Sequence, residues 1–224
     1  WLEIEHNGRK DKFLYPRQAG SLYHTTKIMD TDLLWFGVRT WNLKVTDLMQ
    51  GPVYGLETDQ TMIDERLNTI FNYDEIFGTV LNRFIVQVVA NYPLSIYGSG
   101  NQTRGYINIR DTVQCIDRAL HTASSKGELR IFNQITETFC VNQLAEMVKE
   151  VGANIGYNVK IEHINNPRVE KEEHYYNPTY QGLQDIGVVP NFLTDEVMDR
   201  LFEVVELYAS NIRKDVIFKG VKWG

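Results

Sequence analysis

Two cysteines, six prolines and five histidines are all that this 224-residue chain carries of the residues that staple, break or metallate folds. Cys115 and Cys140 cannot build a disulfide framework and show no C-x-x-C spacing, so a reducing compartment such as the cytoplasm is expected. His6, His121, His163 and His174 share no ligand spacing, and no metal is expected. No run approaches the roughly 18 apolar residues of a membrane-spanning helix. Positive charge is in deficit, 23 Lys and Arg against 29 Asp and Glu, for a formal charge of −6. That argues against a broad nucleic-acid face and leaves room for a local basic pocket. Initiator Met and signal-peptide pattern are both absent, and Trp1-Leu2-Glu3 reads like the middle of a longer chain. There is no internal repeat and no low-complexity segment.

What is present is an ordinary globular balance, with 43% hydrophobic and 23% charged residues, enough for one sizeable core or two small domains. Residues 1–16 are polar and mixed. A helix is predicted from about 18 to 36, then a strand over Lys44 to Met49 that stops at Gly51-Pro52. Residues 51–73 read as an extended functional loop. In 76–90, Phe77, Val80, Leu81, Phe84, Ile85, Val88 and Val89 recur at three- and four-residue steps, the signature of an amphipathic helix. Short strands at Leu94 to Tyr97 and Tyr106 to Ile109 flank the turn Gly98-Ser99-Gly100-Asn101. Asp111 is expected to cap the next helix. A strand at Leu129 to Asn133, a helix at Asn142 to Val151 and a strand at Val159 to Ile164 follow, and Thr194 starts a final helix. Strands alternating with long helices make this an α/β chain with a largely parallel sheet. A soft boundary near residue 90 divides 1–90 from 91–224.

Tyr23 and Lys27 are four residues apart on the first helix, so their side chains leave the same face. An ammonium beside a phenol favours the phenolate and makes an acid–base group usable near neutral pH. The plainer alternative is a solvent-facing Tyr and Lys, and spacing by itself does not separate the two.

Context does. Tyr15-Pro16, Ser21, Tyr23 and Thr26-Lys27 resemble the Y-P-x-x-x-x-S-x-Y-x-x-S/T-K pattern of the extended short-chain dehydrogenase/reductases that act on nucleotide-sugars. Val53-Tyr54-Gly55, the hairpin from Ser95 to Arg104 and Arg110-Asp111 resemble that branch's later motifs in order. Tyr23-His24-x-x-Lys27, Gln50-Gly51, Leu81-Asn82-Arg83-Phe84, Gln102-Thr103-Arg104-Gly105-Tyr106 and Asn166-Pro167-Arg168-Val169-Glu170 are similar to the UDP-sulfoquinovose synthase family in particular.

The resemblance implies a Rossmann-like parallel sheet, present here as its rear half, with a smaller α/β substrate domain. It implies NAD as cofactor and conversion of UDP-glucose and sulfite to UDP-sulfoquinovose through 4-keto and 4-keto-5-ene sugars. By position, Tyr23, Lys27 and His24 would be catalytic. Tyr23, Lys27, Gln50 and Val53 would meet the cofactor, while Asn82, Tyr97, Gln102, Arg104 and Arg168 would bind substrate. A bidentate guanidinium suits a diphosphate, and an aromatic face suits uracil. Homodimerisation is also implied, and plastid stroma if the source is photosynthetic. The alternatives are a nucleotide-sugar epimerase or 4,6-dehydratase, and a non-catalytic UDP-sugar-binding homologue. No G-x-x-G-x-x-G turn occurs in the chain, and Gly105 stands where much of the branch has Asp.

Overall fold

Asn7 and Gly8 both take positive φ, 50° and 76°, which turns the chain sharply. The strands β1 (Leu2–His6) and β2 (Arg9–Phe13) therefore pair antiparallel, with Glu3 opposite Lys12 and Glu5 opposite Lys10. Sequence reading left this region irregular because the apolar alternation is only Leu2 and Ile4 long and Arg9 to Lys12 is charged throughout. The computed structural model describes residues 2–13, 16–17, 19, 21–67, 70–166 and 177–217. No helix among them is long and apolar enough to cross a membrane.

Further along run α1 (Leu22–Trp41), β3 (Lys44–Gln50), β4 (Val53–Tyr54), α2 (Asp59–Ile63), α3 (Val80–Val89), β5 (Leu94–Tyr97) and β6 (Thr103–Asn108). They are followed by α4 (Ile109–His121), β7 (Glu128–Gln134), β8 (Glu137–Cys140), α5 (Val141–Asn154), β9 (Ile161–Ile164), α6 (Gln181–Asp185), α7 (Asp195–Leu207) and α8 (Lys214–Ile217). The chain divides into two units. Among the described residues, one runs to Asp47 and includes Ser124–Arg130; the other holds Leu48–Ala123 and those from Ile131 to Ile217.

In the first unit α1 begins later and runs further than expected. Ser21 Oγ accepts from the His24 N–H at 3.2 Å and starts it, and Asn42 ends it at φ 57°. The helix is tied within the unit where Thr31 Oγ1 donates to Asp47 Oδ2 at 3.0 Å.

In the second unit β4 and β6 pair parallel, β6 and β8 antiparallel, and β5 and β9 parallel, with Ile96 opposite His163. The expected α/β class with parallel pairing is what forms. Its core gathers Leu81, Phe84, Ile85 and Val88 of α3, Leu144 and Val148 of α5, Met198 and Phe202 of α7, and Leu94 and Ile96 of β5. The helix expected over 76–90 starts only at Val80. Asp74 Oδ1 accepts from the Ile76 and Phe77 N–H groups, a local turn that competes with helix, and Thr79 then caps. Phe77 is accordingly outside the stripe and 74% exposed.

Asp111 does not cap α4. Asn108 does, its Oδ1 accepting from the Arg110 N–H at 3.0 Å. Asp111 is instead fully buried, and accepts from the Asn191 N–H at 2.9 Å and from Asn191 Nδ2 at 2.6 Å. Beside it, Tyr54 donates its hydroxyl to Glu137 Oε2, and Glu137 also accepts from the Leu193 N–H at 3.0 Å. These bonds fasten the 189–193 segment to β4, α4 and β8.

Burial pushes the carboxyls of Asp111 and Glu137 above their ordinary range. The folded state thus holds protons that the unfolded state releases, and stability falls as pH rises from the ordinary carboxylate pKa of about 4 through the raised folded values. Glu137→Gln keeps an acceptor for Leu193 and removes the charge. Its stability relative to wild type, measured by urea unfolding between pH 4 and 7, is expected to improve steadily with pH. A pH-independent difference would contradict the assignment.

Candidate functional site

The first group of expected site residues lies on the opening turns of α1. Ser21 Oγ sits 2.7 Å from His24 Nδ1 as well as capping the helix. Tyr23 and Lys27 follow on successive turns, with the Lys27 ammonium 5.7 Å from the centre of the Tyr23 ring. His24 meets the same ring edge-on at 5.3 Å. Lys27 donates to Asp30 Oδ2 at 2.8 Å, and that carboxylate holds the ammonium above the usual lysine range. The local structure therefore keeps a permanent cation beside a phenol that is 63% exposed. Tyr23 and Lys27 leave one face of α1 as their spacing predicts, while the contact of His24 with the Tyr23 ring is one that spacing does not predict.

The second group lies in the other unit. Tyr97 ends β5, half-buried, and its hydroxyl donates to Glu75 Oε1 at 2.5 Å. Gln102 is 6% exposed and donates from Nε2 to the Tyr97 carbonyl at 3.1 Å, while its Oε1 is buried without a partner among the described residues. Asn82 donates to the Asn72 carbonyl at 3.0 Å, and its Oδ1 is likewise buried and unmatched among the described residues. Two buried acceptors lacking donors are costly unless something fills them. Arg104 lies on β6, opposite Phe139 of β8, and donates from Nη1 to the Thr103 carbonyl at 2.9 Å. Gln50 is exposed and Val53 half-buried on either side of Gly51-Pro52. Arg168 lies outside the described residues.

Sequence reading missed Arg83 and Glu75, which flank Tyr97. Arg83 is buried, with its guanidinium carbon 4.6 Å from the Tyr97 ring centre. The available signal was a charge and an amide, Arg83 and Gln87, four residues apart inside a largely apolar helix. A separate cleft of about 420 Å³ is lined by Gly55, Glu57, Asn108, Arg110, Asn191 and Arg200, among others, and by none of the expected site residues. Its arginines are already engaged, Arg110 with Asp59 at 3.1 Å and Arg200 with Glu57 at 2.7 Å.

Gly105 has a structural reason. A Cβ there would meet Ile135 Cγ2 at 2.5 Å and Ile135 Cδ1 at 2.8 Å, so the side chain found elsewhere in the branch has no room. Gly105→Asp is expected to destabilise the fold by about 1–3 kcal/mol, the range for overpacking. Ile135→Ala should recover part of that loss in a double-mutant cycle read by denaturant unfolding. Strict additivity would show that Ile135 is not the obstacle.

Residues 5–133 match the model of the NAD dependent epimerase/dehydratase family. Over 223 residues the chain is 43% identical to the chloroplastic UDP-sulfoquinovose synthase of Spinacia oleracea, covering 100% of this chain and 46% of that protein. It is 42% identical over 225 residues to the UDP-sulfoquinovose synthase of Sulfolobus acidocaldarius, covering 100% of this chain and 57% of that one. The chain thus spans about half the length of the curated relatives it matches. Among solved structures, the UDP-glucose 4-epimerase of Thermotoga maritima with UDP-glucose shares the fold at a TM-score of 0.63 and 20% identity, over 85% of this chain and 54% of that one. The NAD complex of the Thermus thermophilus UDP-glucose 4-epimerase gives 0.62 at 19% identity, over 90% and 59%. The sequence match over more than half the chain and the shared fold agree with the motifs around Tyr23 and Lys27: the chain belongs to the NAD dependent epimerase/dehydratase family.

Proposed function

We propose that this chain works in an enzyme that converts UDP-glucose and sulfite to UDP-sulfoquinovose. The observation that carries the reading is the Tyr23–Lys27 pair on one face of α1, with a cation held 5.7 Å from the phenol ring. The names of the two relatives that match across this chain support the substrate class.

NAD suits the donor set: a lysine ammonium and a phenol on an exposed helix face can bond the two hydroxyls of a nicotinamide ribose. Gln50 and Val53 are assigned to the nicotinamide. When bound, NAD supplies the hydride acceptor and returns that hydride. The chain's own residues handle protons and position. Tyr23 Oη takes the proton of the sugar C4 hydroxyl, and Lys27 keeps positive charge beside it. His24 serves the C6 end, where water leaves across C5–C6 and sulfite adds, so the route runs through 4-keto and 4-keto-5-ene sugars. Uracil is assigned to Tyr97, with the unmatched Gln102 Oε1 and Asn82 Oδ1 offering acceptors to substrate donors. Arg104 and Arg168 are assigned to the diphosphate. Residues 1–90 then serve mainly the cofactor and 91–224 mainly the nucleotide-sugar. A homodimer would use α1, where Leu33 and Trp41 are 66% and 64% exposed, because the α3 stripe is already spent in the core.

The full chain given NAD, UDP-glucose and sulfite should yield a product with the mass of UDP-sulfoquinovose. Tyr23→Phe should lower turnover by about 10²–10⁴-fold, the range for a lost acid–base group. A keto-sugar or epimer formed without sulfite would move the protein to the epimerase or dehydratase chemistry. No product at all would leave a UDP-sugar-binding protein.

A further inference from the structure

We propose that Arg83 is a positioning residue, forming a fixed floor beneath the Tyr97 ring so that the ring can receive the uracil of the nucleotide-sugar. The inference rests on the assignment of uracil to Tyr97 made above.

Arg83 is 7% exposed on α3, and its guanidinium carbon lies 4.6 Å from the Tyr97 ring centre and 5.7 Å from that of Phe84. A buried charge is expensive, and a Met or Leu would fill the same core position at lower cost, so packing does not account for the choice. The guanidinium is held in place from below. Arg83 and Gln87 are one turn apart, and both grip Ser95. Arg83 Nη2 donates to the Ser95 carbonyl at 3.3 Å, Gln87 Nε2 donates to Ser95 Oγ at 2.6 Å, and the Ser95 N–H donates to Gln87 Oε1 at 3.1 Å. Ser95 and Tyr97 are two apart in β5, hence on one side of the strand, so the clasp that orders Ser95 also sets the plate under Tyr97.

The ring is then fixed at two points. One face rests on the cation, and the hydroxyl is tied to Glu75 at 2.5 Å. A tyrosine immobilised before the ligand arrives loses little rotamer freedom on stacking, which is how preorganisation raises affinity. Arg83 itself does not touch the reacting atoms. Its removal should therefore weaken binding of the base without changing the chemical step.

The experiment uses the full chain and compares UDP, which carries the base, with inorganic pyrophosphate titrated as a displacer of UDP. Arg83→Met keeps the buried stem and removes the cation. It is expected to raise the UDP dissociation constant about tenfold, which corresponds to about 1.4 kcal/mol. The pyrophosphate constant should stay within about twofold and kcat at saturating UDP-glucose should be unchanged, while Arg83→Lys should recover part of the UDP affinity. UDP affinity unchanged in Arg83→Met, or an equal loss for UDP and pyrophosphate, would overturn the proposal. If Arg83→Met fails to fold, Glu75→Gln tests the other anchor: UDP should weaken about threefold and pyrophosphate should not, and no change for UDP overturns the preorganised ring. Tyr97→Ala separates the two claims, since unchanged UDP affinity there would overturn the uracil assignment itself.

Discussion

A buried carboxylate and a half-buried one set the frame of the second unit. Asp111 is fully buried and Glu137 half-buried, and away from water a charge is tolerated only if its oxygens are matched. They are matched by Tyr54, by Asn191 and by the Leu193 backbone. Breaking one bond leaves a buried acceptor, so the group holds together as a unit. It ties the short strand β4 and the 189–193 segment to α4 and β8. Strand β6, paired to both β4 and β8, is held between them, and β6 carries Arg104.

The same economy recurs around Tyr97. Gln87 and Arg83 both bond Ser95 inside the α3–β5 contact, and the ring that caps this cluster belongs to the candidate nucleotide site. Polar groups in this unit are placed where neighbouring elements must meet at a fixed offset, and the candidate ligand residues stand one or two positions away from them. In the other unit the site is simpler. A capped helix, one turn of spacing and an acidic neighbour for Lys27 suffice to hold a cation beside a phenol.

Much of this was legible in the sequence. The Tyr23–Lys27 spacing, the stripe from Val80 to Val89, the strand ending at Tyr97 and the Thr194 cap all follow from local periodicity and capping chemistry, and the structure has them. Asp111 shows the limit: as a residue near a helix start it reads as a cap, but its partner is Asn191, 80 positions away. Glu137 in β8 likewise meets Tyr54 across 83 positions, and nothing local marks that pairing. Arg83 stands in a recognisable motif, but its task depends on the ring of a strand that follows the helix. Gly105 was noted as a departure, and only the approach of Ile135 explains it.

The central proposal is that Tyr23 works on the C4 hydroxyl of a nucleotide-sugar. A crystal structure of the full chain with NAD and UDP-glucose tests this most directly. The account predicts the sugar C4 hydroxyl about 2.6–3.2 Å from Tyr23 Oη. A UDP-glucose bound with its C4 hydroxyl beyond hydrogen-bond reach of Tyr23 would contradict it.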